Sequence, residues 1–315
     1  MGDHLVTVQI LLAAYNGAAW LPAQLQSLRD QTDRDFTVLW QDDGSSDDTA
    51  EQLLRCVKQD ARFLPGAEQG CHLGAKGNFL SLIRQANADA VLLCDQDDVW
   101  FPEKVARLKK ALAKAEVQNG AGTPLLVHSD CRGIDEAGAQ LFPSFFRHQG
   151  WDSAAVTLPR LLVQNNVTGC TLVMNKALVR LIAAHGDAEK IFMHDWFIAL
   201  TAAAFGRVVF LDEVLTGYRQ HLDNAIGASG KDQLARGVEA LSRREQARAR
   251  IRLTYTHTRS VRDLYGDLLP GDARRLMDAY LATESLPKVS RLWQVHRLGC
   301  VMQSPVTRAG QLLFG

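Results

Sequence analysis

The sequence predicts an α/β fold: a mostly parallel central sheet with helices on both faces, followed by a C-terminal helical extension. Three observations carry this. Short continuous apolar runs recur through the first half of the chain, the pattern of strands buried on both faces. Between them lie stretches with apolar residues three and four apart, as in amphipathic helices. The runs end in polar clusters rich in Asp, Asn and Gly, where an open sheet of this kind places its ligand-binding edge.

Residues 6–13 form the first apolar run, broken by Tyr15-Asn16-Gly17. Leu21, Leu25 and Leu28 follow at helical spacing, with Pro22 near the helix start. Residues 36–40 read as a second strand ending in Asp42-Asp43-Gly44, and Ser46 or Asp47 can cap a helix through Lys58. Gly74 opens a helix carrying Phe79, Leu82 and Ile83; residues 90–94 are a strand running into Asp95-Gln96-Asp97-Asp98. A helix over 103–115 and a strand over 125–127, ending in His128-Ser129-Asp130, complete the first half. The second half is more mixed: strands at 170–174 and 208–211, helices from Asn175-Lys176 and from His194-Asp195-Trp196, and a Gly-rich loop at 227–230. The expected boundary separates a catalytic domain, 1–230, from a helical extension, 231–315.

Composition narrows the class. Of 315 residues, 47% are hydrophobic and 22% charged, as in a globular protein with a sizeable core. The formal net charge is zero, so no nucleic-acid partner is expected. The ends differ: residues 231–315 hold 15 Lys/Arg against 8 Asp/Glu, and residues 1–230 hold 20 against 27. An acidic body suits a cation site, and a basic tail suits an anionic surface or a solvated helical face. The six cysteines lack any C-x-x-C spacing, which argues against a zinc knuckle. The first apolar run is too short for a signal peptide, and no run approaches the ~18 apolar residues of a membrane span. A cytoplasmic location is the expectation.

The chemistry-bearing clusters follow predicted strands, so they should converge on one sheet edge. Asp95, Asp97 and Asp98 crowd three carboxylates into four positions, which repel one another unless a cation joins them. Hard divalent cations take one or two carboxylates plus phosphate oxygens. Asp42 and Asp43 can cap a helix, or accept hydrogen bonds from a pyrimidine N–H or a ribose hydroxyl. Tyr15 can stack on a base. Gly74 and Gly77, with Lys76 and Asn78, make a loop-to-helix entry that is not a P-loop. Asp195 stands at a helix start between His194 and Trp196. His221 is a surface histidine or an imidazole metal ligand.

Six motifs, in order over residues 5–225, resemble the family 2 glycosyltransferases of GT-A fold. They are Leu12-Ala13-Ala14-Tyr15-Asn16-Gly17, Gln41-Asp42-Asp43-Gly44-Ser45-Ser46-Asp47-Asp48-Thr49 and Asp95-Gln96-Asp97-Asp98-Val99-Trp100. Gln164-Asn165-Asn166-Val167-Thr168-Gly169-Cys170, Met193-His194-Asp195-Trp196 and Tyr218-Arg219-Gln220-His221 complete the set. Within the family the chain is similar to bacterial rhamnosyltransferases of O-antigen or cell-wall polysaccharide synthesis. The resemblance implies a nucleotide-sugar site of Ala14, Tyr15, Asn16, Asp42, Asp43, Lys76, Asn78, Asp95 and Gln96. It implies Mg²⁺ or Mn²⁺ on Asp97, with Asp98 and His221 assisting, and Asp195 as catalytic base. Trp100, Thr168, Gly169, His194 and Trp196 are the expected acceptor or sugar pocket. Asn165-Asn166 departs from relatives that carry a single Asn there.

The implied reaction is an inverting transfer from a dTDP- or UDP-sugar to a glycan or lipid-linked glycan. A haloacid-dehalogenase-type phosphotransferase would need D-x-D-x-T/V after the first strand, where Ala14-Tyr15-Asn16 stands instead. A non-catalytic nucleotide- or glycan-binding protein is the rival from another class. The tail is expected to touch a membrane, to form a homodimer, or to pack on the core.

Overall fold

The computed structural model describes residues 6–221 and 243–314. The loop expected at 227–230 and the boundary expected at 230/231 lie outside the described residues. In chain order the elements are β1 (Val8–Ala14), α1 (Leu21–Arg29), β2 (Thr37–Asp42), α2 (Thr49–Gln59) and β3 (Phe63–Pro65). Then come α3 (Gly74–Gln85), β4 (Ala90–Asp95), β5 (Val99–Trp100), α4 (Lys104–Asn119), β6 (Leu125–Ile134) and β7 (Gln140–Phe142). These lead to α5 (Phe145–Gln149), α6 (Leu158–Val163), β8 (Leu172–Asn175), α7 (Lys176–His185), α8 (His194–Phe205) and β9 (Arg207–Arg219). The extension holds α9 (Arg243–Tyr265), α10 (Gly271–Ala282), α11 (Lys288–Arg297) and α12 (Pro305–Phe314).

All seven residues of β1 are buried, because the strand is central and covered on both faces. Alternation then divides its side chains. Val8, Ile10, Leu12 and Ala14 join one core with Leu25, Leu53 and Leu108 of α1, α2 and α4. Leu11 and Ala13 join the other core with Phe79, Leu178 and Phe197 of α3, α7 and α8. The sheet order is β3-β2-β1-β4-β8-β6-β9-β5, with β7 on β6. β1, β2, β3 and β4 run parallel, as do β6 and β9; β8, β5 and β7 are reversed. The mostly parallel sheet is therefore as expected, with antiparallel insertions in its second half.

The chain winds outward from β1 to β2 and β3, then crosses back to β4 on the other side. Such a reversal opens a crevice at the carboxyl ends of the strands. Register aligns the acids there: Ala14 pairs with Asp42, and Ala13 pairs with Asp95.

Two local expectations are corrected. β6 does not stop at Ser129-Asp130; it bulges there and continues to Ile134 alongside β9. Asp130 is buried and takes no part in the acid edge. Its carboxylate accepts from Ser144 Oγ (2.5 Å) and from the Phe145 and Phe146 N–H groups (3.2 Å each), holding the start of α5. The strand expected at 208–211 likewise does not stop there; β9 runs on to Arg219, because β6 pairs along its length.

The extension shares the main core. Tyr265 stacks on Phe197 (centroids 5.9 Å apart, 7° between planes), and its hydroxyl meets Thr201 Oγ1 at 3.0 Å. Met277, Tyr280, Val295 and Met302 belong to the same apolar cluster as α8. The Gln303 N–H donates to Gln164 Oε1 (2.8 Å), tying the tail to the loop after α6. Of the expected roles, packing on the core is realised by these helices. No helix among the described residues is long and apolar enough to cross a membrane.

Candidate functional site at the carboxyl edge of the sheet

Four strand ends and one helix start meet at this edge. The loop after β2 is folded by its own first acid. The Asp42 carboxylate accepts from the Gly44 N–H (3.1 Å), the Ser45 N–H (3.0 Å) and the Ser45 hydroxyl. Asp43 accepts from the Leu73 and Gly74 N–H groups at 2.6 and 2.7 Å, joining this loop to the entry of α3. Asn16 braces the other side: its N–H donates to Ser45 Oγ and its Oδ1 accepts from the Ser46 N–H, both at 2.8 Å. Asn16 (φ 49°) and His72 (φ 54°) are the non-glycine residues with positive φ among those described. Both flank this loop, and local backbone strain of this kind concentrates at functional sites.

Gln96 clamps the loop after β1. Its amide accepts from the Tyr15 N–H (2.8 Å) and donates to the Tyr15 carbonyl (2.7 Å). Glycine at 17 leaves room for this clamp, since a Cβ there would lie 2.1 Å from the Gln96 amide carbon and displace it. Gln96 thus positions Tyr15, whose side chain is 51% exposed and open to a stacking partner. Lys76 and Asn78 are turned to structural use. Lys76 Nζ donates to the Ile191 carbonyl (2.9 Å), and buried Asn78 donates to the Gln41 carbonyl (3.2 Å). The buried Ala14 carbonyl accepts from the Asp43 N–H (2.8 Å).

Asp97 Oδ2 lies 2.7 Å from His221 Nε2, and the His221 ring stacks on Trp20 (4.1 Å, 16°). A carboxylate and an imidazole thus meet at the mouth of the crevice, from elements 124 residues apart. Asp98 turns inward instead: it is wholly buried, and its Oδ1 accepts from the Arg219 N–H at 3.0 Å. Arg219 also donates to the Asp97 carbonyl (2.7 Å) and to the Asp135 and Glu136 carbonyls, binding the acid loop to the end of β9. Below lies buried Lys104, whose Nζ donates to Thr216 Oγ1 (2.8 Å) and the Cys170 carbonyl and sits 3.5 Å over the Trp100 ring. Oxygens of Asp95 and Asp98 and the Cys170 thiol lie within 4.8 Å of one another. Burial, then the charges of Asp98, Asp97 and Asp195, push Asp95 well above the usual carboxylate range. Burial and Asp97 push Asp98 up to about 7. A bound cation relieves this crowding of acids.

Asp195 enters from the first turn of α8. Its Oδ1 accepts from the Trp196 N–H at 2.5 Å. Burial pushes it up to about 7, partly offset by backbone hydrogen bonds from Trp196 and Gly169. A Cβ on Gly169 would lie 3.1 Å from His194 Nε2, so glycine lets this loop close on the helix start. Thr168, partly exposed, turns the same loop by accepting from the Thr171 N–H (2.9 Å).

Three residues expected in the sugar pocket are elsewhere. Trp100 is 2% exposed and packs in the core under Lys104. The Trp196 indole donates to the Leu161 carbonyl (2.7 Å), and its ring packs against His257 of the extension. His194 is buried against Phe79 (4.4 Å), and burial pushes it down to about 4, so it is neutral. Of that set, Thr168 and Gly169 remain beside Asp195.

Trp20, Arg219 and Lys104 were not singled out by sequence reasoning. Lys104 had a signal: it shares the buried stripe of α4 with Leu108, Leu112 and Ala115, and a lysine on an apolar stripe needs buried partners. Arg219 lay inside a quoted motif without a role. Nothing local marked Trp20, whose partner is 201 positions away in the chain.

A sheet with a reversal at its centre, acids gathered at its carboxyl edge and a carboxylate of raised pKa at the start of α8 fit a group-transfer enzyme. The chain belongs to glycosyl transferase family 2, whose model matches residues 9–178, more than half of it; it is a glycosyltransferase. It is 28% identical over 233 residues to the dTDP-rhamnosyl transferase RfbG of Shigella flexneri, covering 69% of this chain and 74% of that one. An uncharacterized glycosyltransferase of Nostoc sp., alr2836, is 22% identical over 264 residues, covering 82% and 77%. Among solved structures, residues 1–349 of S. aureus TarS in complex with UDP-GlcNAc share the fold, with TM-score 0.58, 16% identity and 93% and 79% coverage. So does the mannosyltransferase PcManGT from Pyrobaculum calidifontis in complex with GDP-Man and Mn²⁺, with TM-score 0.56, 13% identity and 94% and 74% coverage.

Proposed function

We propose that this chain transfers a sugar, L-rhamnose from a dTDP donor in the first instance, to a hydroxyl of a glycan or lipid-linked glycan with inversion at the anomeric carbon. The observation that carries this reading is the convergence of the Asp97–His221 pair and Asp195 on one crevice. Tyr15 stacks on the base, and the Asp42 loop receives the nucleoside. The carboxylate and imidazole of Asp97 and His221 are a donor set suited to Mg²⁺ or Mn²⁺, with the imidazole favouring Mn²⁺. When bound there, the ion supplies positive charge to the diphosphate leaving group.

The chain's own residues perform the rest. The acceptor oxygen attacks the anomeric carbon while Asp195 takes its proton. The bond from that carbon to the diphosphate oxygen breaks, and its electron pair leaves with the nucleoside diphosphate. Attack from the face opposite the leaving group inverts the centre, so a β-linked rhamnosyl donor gives an α-rhamnoside. A base of pKa about 7 is half-ionised near neutral pH, where general bases work best.

Calorimetry with dTDP, UDP and GDP in Mn²⁺ tests the donor. dTDP is expected to bind tightest; preference for UDP makes the chain a different hexosyltransferase, and preference for GDP sinks the pyrimidine reading. Tight nucleotide binding without any transfer would make it a binding protein on the same fold.

Trp20 is assigned the role of holding His221 against Asp97. Trp20→Ala should weaken Mn²⁺-dependent nucleotide binding about 3–10-fold, the scale of one aromatic pair, and Trp20→Phe should restore most of it. Equal loss in both variants, or binding unaffected by either, would remove Trp20 from the site.

A further inference from the structure

We infer that the outer face of the C-terminal helical hairpin is a docking surface for an anionic lipid bilayer. The last two helices, α11 and α12, are folded against each other. Lys288 Nζ, at the start of α11, donates to the Leu313 carbonyl near the end of α12 (2.6 Å). Gln311 closes the other side, accepting from the Met302 N–H (3.0 Å) and donating to the Cys300 carbonyl (2.9 Å). The inner face is buried through Val295 and Met302.

The outer face is apolar. Val289 is 82% exposed, Trp293 62%, Val306 81%, Leu312 60% and Leu313 62%. On α11 Val289 and Trp293 lie four apart, and on α12 Val306 and Leu313 lie seven apart, so each helix presents a stripe, which Leu312 flanks on α12. The Lys288 bond brings the start of one stripe to the end of the other. With Leu286, these make six of the thirteen large exposed hydrophobics among the described residues, concentrated in fewer than thirty positions. Isolated surface apolars are ordinary, but a concentration of this kind marks an interaction site.

Charge selects the occupant. Residues 285–315 contain Lys288, Arg291, Arg297 and Arg308 and not one Asp or Glu. Exposed Arg297 lies over the Trp293 ring at 4.8 Å, its charge beside the largest exposed apolar side chain of the hairpin. Anionic headgroups above an apolar layer match both features at once, and amphipathic helices with Lys/Arg at the margin bind such surfaces in the interfacial plane. A second copy of the chain matches one feature at a time: hairpin against hairpin pairs the apolar stripes but brings like charges together, and hairpin against body pairs the charge but not the stripes. Its body is acidic, but its other exposed large hydrophobics, such as Leu54, Val117 and Leu141, are spread along the sequence. None of the exposed residues of the hairpin is among the donor-site residues, so vesicle binding and sugar transfer are read by separate variants.

Flotation of the full chain with vesicles of phosphatidylcholine, alone or mixed with phosphatidylglycerol, tests the proposal. The chain should rise with mixed vesicles at low salt, and stay down with neutral vesicles or at high salt. Each basic residue near such a surface contributes about fivefold to partitioning, so Arg297→Gln with Arg308→Gln should lower it about 25-fold. Trp293→Ser with Leu313→Ser should abolish flotation. If melting curves show that a double variant is misfolded, Arg297→Gln alone, at an exposed position, still reads a fivefold loss. Absence of wild-type flotation, equal flotation with neutral vesicles, or no loss in folded variants overturns the proposal. Concentration-dependent dimerisation that the Trp293/Leu313 variant abolishes, without flotation of the wild type, assigns the face to a second copy and overturns it equally.

Discussion

Asp195→Asn is expected to lower turnover by about 10²–10⁴-fold, the usual cost of losing a general base, with donor affinity close to wild type. The substitution keeps an oxygen that can accept from the Trp196 N–H, so the start of α8 is preserved. It removes the group proposed to receive the acceptor proton. Single-turnover rates beside dTDP calorimetry separate the two effects. If donor binding collapses and the residual rate follows occupancy, Asp195 is a binding residue instead. The pH profile is a second check. With a pKa of about 7, kcat/KM should fall as pH drops below 7, and this acid limb should vanish in the variant.

The same residue predicts an opposite effect on stability. Burial raises the folded pKa above the ~3.9 of an unfolded aspartate. Between pH 4 and 7 the folded state therefore holds the proton more tightly, and stability declines as pH rises through that window. Asparagine carries no such penalty. The variant should melt higher than wild type at pH 8, and the difference should close towards pH 4. A wild type that melts higher at pH 8 would show that the ionised carboxylate is well solvated or paired.

Asp97→Asn, or chelation of the wild type with EDTA, is expected to abolish measurable transfer. The carboxylate that faces His221 at 2.7 Å becomes a neutral amide and a much poorer ligand for a hard cation. Charge on the departing diphosphate is then left to the protein alone. Nucleotide affinity should lose its dependence on Mn²⁺ while the melting temperature without nucleotide changes little, because Asp97 sits at the mouth of the crevice rather than in the core. Full activity of the variant, or of EDTA-treated enzyme, would rule out the metal reading. Asp98→Asn should behave differently. Asp98 is buried on the Arg219 N–H, so its loss should appear in the melting curve as well as in activity.

Much of this architecture is legible in the sequence. β1, β2 and β4 are short apolar runs bounded by turn residues, and β2 and β4 run into acids. Local pattern therefore determined both the parallel core of the sheet and the edge on which Asp42, Asp43, Asp95 and Asp97 gather. Other features lay beyond local pattern. α8 is apolar nearly all round, so its sequence holds no phase to say whether Asp195 or Trp196 turns to the crevice. Packing against α6 and the extension decided it, taking Trp196 inward to the Leu161 carbonyl. Asp130 follows an apolar run as Asp95 does, yet it caps α5, because pairing with β9 carries β6 past it. The partners of Asp97, Asp98 and Lys104 arrive from β9, from His221 just after it and from the turn before β8, more than 60 positions away. Periodicity and turn chemistry reach only a few residues along the chain. Contacts between distant segments exist once the sheet has closed, and it is these that set Asp97 against His221 and bury Asp98 against the end of β9.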